Sequence, residues 1–301
     1  MHGTVPVIPT PFHDNEELDL DALRSLVDFA ARAGVSAICL PAYGSEFYKL
    51  TEAERSTLVK TAVAAAGGRV NVVAQSNHGS SRVAAALARH NADLGADVIS
   101  FAIPRQFALG EDAILAYCAT VCSAVKVPVL IQDFNPGGPS VGAAFAARLA
   151  DLAPNFRYLK LEEPLMGAKV RAIRQATQDR IGVLEGWGGM YTLELLPEGI
   201  CGIMPGLAMC DLFGKIFQFA AAGDQPNALQ IFEAILPQIV YSLQTFELYH
   251  HCEKRLLKAR GLLSNTTVRE PALRLDAAVD AHIDGINARI LQELAKHGLS
   301  S

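Results

Sequence analysis

Short apolar runs alternate with longer amphipathic segments along most of the chain. The runs are three to five residues long and rich in β-branched and aliphatic residues. The longer segments place apolar residues three and four positions apart, as in Leu23, Leu26, Val27 and Ala30. The first pattern predicts strands and the second predicts helices. The predicted strands are residues 4–8, 37–40, 70–74, 98–102, 127–131, 158–161, 182–184 and 202–204.

Capping residues support the helices between these strands. Asp19 precedes the first amphipathic segment, and Thr51 with Glu54 has the spacing of a capping box at the start of the second. Eight strand-then-helix units within residues 1–223 predict a (β/α)8 TIM barrel. An open doubly wound sheet is the rival fold, but prolines stand after the first strand in place of a glycine-rich dinucleotide turn.

The alternation stops near residue 224. Three helical segments follow, with a break at residues 261–271, and no linker rich in proline or serine precedes them. We therefore expect a catalytic barrel over residues 1–223 and a C-terminal helical subdomain over residues 224–301.

Charge and composition narrow the classes of partner. The 301 residues include 26 basic and 31 acidic side chains, for a formal charge of −5, so a nucleic acid or an anionic membrane is not the expected partner. We find no apolar run of the roughly 18 to 20 residues that span a bilayer and no basic leader, and we expect a cytoplasmic protein. Six scattered cysteines without a CxxC pair are expected to be reduced.

Lys160 is the most informative single residue. It lies in the string NFRYLKLEEP, on a predicted strand that is otherwise aromatic and aliphatic, and alternation directs its side chain into the barrel. Burial favours the neutral amine, which is the nucleophile that forms an imine with a ketone. The alternative is a structural lysine paired with Glu162 or Glu185.

Four strings together resemble a known family. GTVPVIPTPF at the start, GSEFYKLTEAER after the second strand, LGADVISFAIP at the fourth and YLKLEE at the sixth are similar to the dihydrodipicolinate synthase and N-acetylneuraminate lyase family of class I aldolases. The resemblance extends over essentially the whole chain. It implies a TIM barrel, a homotetramer built from dimers, no cofactor or metal, and a Schiff base between Lys160 and pyruvate or another 2-keto acid.

The chain departs from this family at the loop that binds the substrate carboxylate. The usual GTTGE sequence is replaced by Ala42, Tyr43, Gly44, Ser45 and Glu46. Hydroxyl and peptide N–H groups can still bind a carboxylate, so residues 43–46 are predicted to bind substrate. Glu46 could instead brace the loop.

The fifth strand departs further. In VLIQDFNPGGPSVG, Gln132 replaces the catalytic tyrosine of the family and Asp133 follows it. Arg105 and Gln106 stand in place of an aromatic pair, and the arginine that receives an amino acid semialdehyde is missing. Gln132 and Asp133 are predicted to be catalytic together with Lys160, although Asp133 could instead cap a turn.

The QD pair and the K-x-E run resemble the branch that includes 2-keto-3-deoxy-L-arabinonate dehydratase. The resemblance implies a lyase that dehydrates or cleaves a 2-keto-3-deoxy sugar acid, with Asp133, Glu162, Glu185 or water moving protons. Glu162, Trp187 and Ile203 are expected to line the keto-acid site. Dihydrodipicolinate synthase activity and a non-catalytic keto-acid-binding protein are the alternatives. The string Tyr249 to Glu253 lacks the spacing of a zinc site.

Overall fold

Eight strands and eleven α-helices make up the computed structural model, which describes residues 1–105, 108–135 and 138–299. The sheet order is β1-β8-β7-β6-β5-β4-β3-β2, and neighbouring strands are parallel from β3 to β8. This is the strand order of a (β/α)8 TIM barrel, and a C-terminal helical region follows it, so the predicted fold class is confirmed. The strands are β1 (Gly3–Thr4), β2 (Ala37–Leu40), β3 (Asn71–Gln75), β4 (Val98–Ala102), β5 (Val129–Asp133), β6 (Phe156–Leu161), β7 (Gly182–Glu185) and β8 (Gly202–Ile203).

The helices follow the strands in the predicted alternation, and three more follow β8 and its helix. They are α1 (Leu20–Arg32), α2 (Glu52–Ala66), α3 (Ser81–Asp93), α4 (Glu111–Cys122), α5 (Ala143–Leu152), α6 (Gly167–Thr177), α7 (Thr192–Leu195), α8 (Cys210–Ala221), α9 (Gln225–Ser242), α10 (Phe246–Ala259) and α11 (Ala277–Lys296). No helix within the described ranges is both long and apolar enough to cross a bilayer.

Prolines explain two differences between the predicted and the observed strand boundaries. The first strand is reduced to two residues, since Pro6 and Pro9 have no N–H to donate, and Val7 continues it only as isolated bridges to Cys39 and Gly206. The fifth strand begins at Val129, directly after Pro128, and ends two residues later than expected. Gln132 and Asp133 are therefore strand residues.

The chain divides into two compact units. One contains residues 1–2 and 71–204, with β3 to β8 and α3 to α7, and the other contains residues 3–70 and 205–301, with β1, β2, α1, α2 and α8 to α11. The boundary predicted at residue 224 falls inside the second unit, between α8 and α9.

Helix starts in the second unit agree with the capping pattern. The Asp19 carboxylate accepts a hydrogen bond of 2.9 Å from the amide of Ala22 at the start of α1. At α2, the amide of Glu54 donates to the Thr51 hydroxyl while the Glu54 carboxylate accepts from the amide of Thr51, which completes the predicted capping box.

A buried ion pair joins α8 and α10 in the second unit. The Arg260 guanidinium is fully buried, and it donates to both carboxylate oxygens of Asp211 at 3.0 and 2.7 Å and to the carbonyl of Ala208 at 2.5 Å. The ring of Phe29 lies 4.8 Å from the guanidinium carbon. A charge in such a position depends on its partner, because water cannot replace that partner.

Arg260→Met is expected to destabilise the protein by about 3–5 kcal/mol, since it leaves the Asp211 carboxylate buried without a counter-ion. The matched control is Arg180→Met, which breaks an exposed pair with Asp151 and is expected to cost less than about 1 kcal/mol. Urea unfolding of both variants measures the difference. Equal losses would show that burial does not set the strength of the Arg260 pair.

Candidate active site

Lys160 lies near the carboxyl end of β6, in register with Gln132 of β5 and Leu184 of β7. Its side chain is buried, and its Nζ lies 2.9 Å from Oε1 of Glu162, the first residue after the strand. Lys160 and Glu162 are two positions apart, so the alternation along the strand places both side chains on the same face of the sheet. The lysine that the sequence singled out therefore has a carboxylate at hydrogen-bonding distance.

Gln132 also holds that carboxylate in place. Its amide nitrogen donates to both oxygens of Glu162 at 3.1 and 3.2 Å, and its amide oxygen accepts a 2.8 Å hydrogen bond from Gln75 of β3. Gln75 thus orients the Gln132 amide, with its nitrogen toward Glu162. A series of contacts thus links the ends of β3, β5 and β6 through the side chains of Gln75, Gln132, Glu162 and Lys160.

Glu185 ends β7 and adds a second carboxyl group. It is fully buried and accepts hydrogen bonds from the peptide N–H groups of Trp187 at 3.0 Å and Gly189 at 2.8 Å. Burial raises the pKa of Glu185 to about 8, and the nearby charge of Glu162 acts in the same direction, whereas the peptide donors and Lys160 act against it. At neutral pH Glu185 is mostly protonated, so Glu162 is the carboxylate that pairs with Lys160.

Gly186 follows Glu185 and leaves space for the pair. A Cβ at this position would lie 2.4 Å from Cγ of Glu162 and 2.6 Å from Cε of Lys160, closer than non-bonded carbon atoms approach. Only glycine allows both side chains to keep their positions. The sequence interpretation named the residues on either side but not Gly186, although a glycine directly after a strand-end carboxylate was the available signal.

Asp133 has a different set of partners. It is the residue after Gln132 in the strand, and its buried carboxylate accepts two hydrogen bonds from the Arg105 guanidinium at 2.9 and 2.7 Å and one from the amide of Val141 at 2.6 Å. These contacts join the segments after β4 and β5. Gln106, which was compared with the same aromatic pair as Arg105, lies outside the described residues.

Trp187 and Ile203 lie beside the strand ends of the same unit. The Trp187 indole stacks on Tyr191 with 5.9 Å between ring centroids, and its amide donates to Glu185. Ile203 is fully buried in β8 and in register with Glu185. The Trp187 amide thus contacts the Glu185 carboxylate, and Ile203 pairs with Glu185 across the two strands.

The loop after β2 belongs to the second unit and contains the predicted substrate-binding residues 43–46. The Ser45 hydroxyl donates to the carbonyl of Ile8 at 2.6 Å and accepts from the amide of Ala42 at 3.0 Å. The Tyr43 ring stacks on Phe246 and meets the edge of Phe47. The hydroxyl that was expected to bind a carboxylate therefore already holds the loop together.

Glu46 is buried in a left-handed conformation, with φ of 58°. Its carboxylate accepts from the Lys254 ammonium of α10 at 2.5 Å, from Lys49 at 3.4 Å and from the amide of Arg269 at 3.0 Å. Burial lowers the pKa of Lys254 below its ordinary value, although the neighbouring Glu46 charge acts in the opposite direction. Such a set of contacts agrees with the bracing alternative for Glu46. Lys254 was missed, because a partner 208 positions away leaves no local signal.

Residues 1–286 match the model of the dihydrodipicolinate synthetase family. The chain belongs to this family. The protein is accordingly a lyase of the dihydrodipicolinate synthetase family, and the resemblance drawn from the four strings is confirmed at that level.

Individual family members show how far the similarity extends. The L-2-keto-3-deoxyarabonate dehydratase of Azospirillum brasilense is 30% identical over 96% of this chain and 94% of its own length. The 4-hydroxy-tetrahydrodipicolinate synthase of Salinibacter ruber is 28% identical over 74% and 73%. The crystal structure of the Rhodopseudomonas palustris dihydrodipicolinate synthase superposes with a TM-score of 0.89 at 25% identity and covers 96% of this chain and 97% of that one.

Stability is expected to depend on pH through Glu185. The pKa of Glu185 is raised in the folded protein to about 8 from an ordinary 4.5, so the folded state keeps a proton that the unfolded chain releases. This contribution is fully present below about pH 4.5 and is lost as the pH rises to 8, with a slope approaching about 1.4 kcal/mol per pH unit.

Glu185→Gln is the matched variant, because a neutral amide cannot titrate. Urea unfolding between pH 5 and pH 8 should show the wild-type protein losing stability relative to Glu185→Gln as the pH rises. Parallel curves for the two proteins would contradict the raised pKa.

Proposed function

We propose that this lyase acts on a 2-keto-3-deoxy sugar acid through an imine between Nζ of Lys160 and C2 of the substrate, and that dehydration is the reaction it catalyses. The observation that carries the proposal is the buried lysine with a carboxylate 2.9 Å from its Nζ. An amine nucleophile and a group that can take its proton are what imine formation requires.

The first step uses Glu162 as a proton acceptor. Glu162 takes one proton from the Lys160 ammonium, and the resulting amine adds to the C2 ketone. The ketone oxygen then takes one proton from the nitrogen and one back from Glu162 and leaves as water. A protonated imine now joins Nζ to C2, and Glu162 is again a carboxylate. Glu185 helps this exchange by being neutral, because a second carboxylate next to Glu162 would hold the proton on Lys160 more tightly.

The second step removes a proton from C3. Once Nζ is bonded to C2, C3 lies roughly 2.5 Å from Nζ by ordinary bond lengths and angles. The Glu162 oxygen, 2.9 Å from Nζ, then lies no more than about 5.4 Å from C3. We assign this transfer to Glu162, with Gln132 as the residue that orients its carboxylate.

Loss of the C4 hydroxyl completes the dehydration. The electron pair from C3–H forms an enamine, the C4 hydroxyl leaves with a proton as water, and a C3–C4 double bond conjugated with the imine results. A second water then hydrolyses the imine and returns the Lys160 amine. In a pentonate, C5 then loses a proton, C3 gains one, and the double bond shifts to C4–C5. The resulting enol converts to an aldehyde at C5, which gives a semialdehyde.

The similarity to the Azospirillum dehydratase supports dehydration, since that relative matches nearly the full length of both chains. The glutamine in place of the family's tyrosine supports the same choice over the synthase reaction. Substrate binding by residues 43–46 stays a prediction of the resemblance. The homotetramer implied by the resemblance stays a prediction.

Trapping tests the imine. Sodium borohydride added with pyruvate should leave a stable mass adduct on Lys160, and Lys160→Met should show none. A folded wild-type protein without an adduct would overturn the Schiff-base proposal. A panel of 2-keto-3-deoxy pentonates and hexonates then identifies the reaction: a semialdehyde marks dehydration, whereas pyruvate with an aldehyde marks aldol cleavage. Condensation of pyruvate with aspartate semialdehyde would favour the synthase.

Two carboxylate variants test the assignment of the proton transfer. Glu162→Gln is expected to lower kcat by about 10²–10⁴, as for other positioned acids and bases. Asp133→Asn is expected to have a smaller effect, because the Asp133 carboxylate is occupied by Arg105 and Val141. Single-turnover kinetics and borohydride trapping measure both, and imine formation should persist in Asp133→Asn. A larger loss of kcat in Asp133→Asn than in Glu162→Gln would indicate that Asp133, and not Glu162, transfers the proton.

A further inference from the structure

A cavity of about 670 Å³ lies between α10 and α11, within the second compact unit. Its polar lining has the same spacing on both helices, four positions and then three, and side chains so spaced lie on one face of a helix. A volume of this size is typical of sites for small molecules. The polar residues on these two faces are His251, Arg255 and Lys258 of α10 and Asp280, Asp284 and Asn287 of α11.

Arg255 connects the two helices across the cavity. Its guanidinium pairs with the carboxylates of Asp280 and Asp284, the latter at 2.9 Å. Both acidic side chains of the lining therefore have a counter-ion already. Lys258 lies one helical turn beyond Arg255, is exposed, and forms no ion pair with any residue in the ranges 1–105, 108–135 and 138–299. Its ammonium is the charged group that is available to a ligand.

Two buried polar atoms of the lining have no hydrogen-bond partner. They are Nε2 of His251 and Oδ1 of Asn287, and neither contacts a donor or acceptor among the residues that the structure describes. Asn287 is only 4% exposed, so its amide has little access to bulk water. Buried polar groups are normally hydrogen-bonded, and an unpaired one calls for an explanation. Because both residues line the cavity, a molecule bound there would supply the missing partners.

The chemistry of these groups defines the ligand. Burial lowers the pKa of His251, although a hydrogen bond with the backbone of Leu273 acts in the opposite direction, so the ring is neutral at neutral pH. A neutral imidazole has one donor and one acceptor nitrogen, and an amide also has both kinds of group. A hydroxyl can donate or accept and matches either, whereas an ammonium only donates. Lys258 calls for a carboxylate.

We propose that this cavity binds a small carboxylic acid with several hydroxyl groups, an aldonate in chemical class. The carboxylate pairs with the Lys258 ammonium, and the hydroxyl groups form hydrogen bonds with Nε2 of His251 and Oδ1 of Asn287. Such binding involves the second unit only and needs no ketone, so it does not depend on the reaction at Lys160.

Water in the cavity is the competing explanation, since water would also satisfy the two buried atoms. Isothermal titration calorimetry separates the two, with threonate, L-arabinonate and D-gluconate as probes. Sorbitol carries the hydroxyl groups without the carboxylate, hexanoate carries the carboxylate without the hydroxyl groups, and L-homoserine carries an ammonium in place of a hydroxyl. At least one aldonate should bind saturably to the wild-type protein, and the three comparison compounds should bind at least about 10-fold more weakly.

Lys258→Met removes the proposed carboxylate partner. It should raise the Kd of the aldonate roughly 10- to 100-fold, the range for loss of a hydrogen bond to a charged group, and should leave the weak binding of sorbitol unchanged. Lys60→Met is the matched control, because Lys60 is an exposed lysine of α2 in the same unit and does not line the cavity. This variant should bind every compound as the wild type does.

Asn287→Leu removes the buried amide and keeps a side chain of similar shape. It should raise the Kd of the aldonate roughly 3- to 10-fold, and urea unfolding without ligand should show no loss of stability, because an apolar group replaces a polar one that has no partner. A purely structural asparagine would give the reverse, a less stable protein with unchanged affinity. If this variant fails to fold, Lys258→Met and the comparison compounds still decide the question.

Four results would overturn this site. The first is no saturable binding of any aldonate to the wild-type protein, and the second is wild-type affinity in Lys258→Met. The third is tighter binding of L-homoserine than of the aldonates, which would assign the cavity to an amino acid. The fourth is an affinity that is lost in Lys160→Met and kept in Lys258→Met, which would place the bound acid at the candidate active site instead.

Discussion

The buried contact between Lys160 and Glu162 is the interaction on which the candidate active site depends. A charged lysine in a strand of a parallel sheet is tolerated only beside a compensating carboxylate. Three neighbouring residues accommodate this pair. Gln132 donates to the carboxylate, burial raises the pKa of Glu185 and so favours its neutral form, and Gly186 leaves space for the pair because it has no side chain. The lysine can pass its proton to a group that is already in contact with it.

The fold could be predicted because its signals are local. Strand and helix periodicity, capping residues and the order of elements all lie within short segments, and the barrel followed from them. The strand ends were less accurate where prolines interrupt the ladder. Lys160 could be found for the same local reason, since a lysine among aromatic and aliphatic residues is conspicuous. Its two possible acidic partners were also visible, as the glutamates that end β6 and β7.

The separate roles of the polar residues could not be predicted, because each role depends on a contact with a residue that is distant in the sequence. From the sequence, Asp133 and Glu162 are equal candidates for moving a proton. In the structure the Asp133 carboxylate is hydrogen-bonded to Arg105, which lies 28 positions away. Gln75 orients Gln132 from 57 positions away. The string of residues 249–253 shows the same dependence on distant contacts. Its members have separate partners, since Tyr249 faces Gly44, His250 contacts Tyr48, and Glu253 accepts from the amide of Ala208.

The pairing of Glu46 with Lys254 bears on how members of this family could be recombined. The loop that contains Glu46 follows the second strand, whereas its counter-ion comes from a helix near the C-terminus, and both charges are buried. A chimaera that exchanged the loop alone, or a shortened chain that ended before α10, would leave a carboxylate in the protein interior without a cation. The loop and the helix therefore have to be exchanged together if the Glu46 carboxylate is to keep its counter-ion.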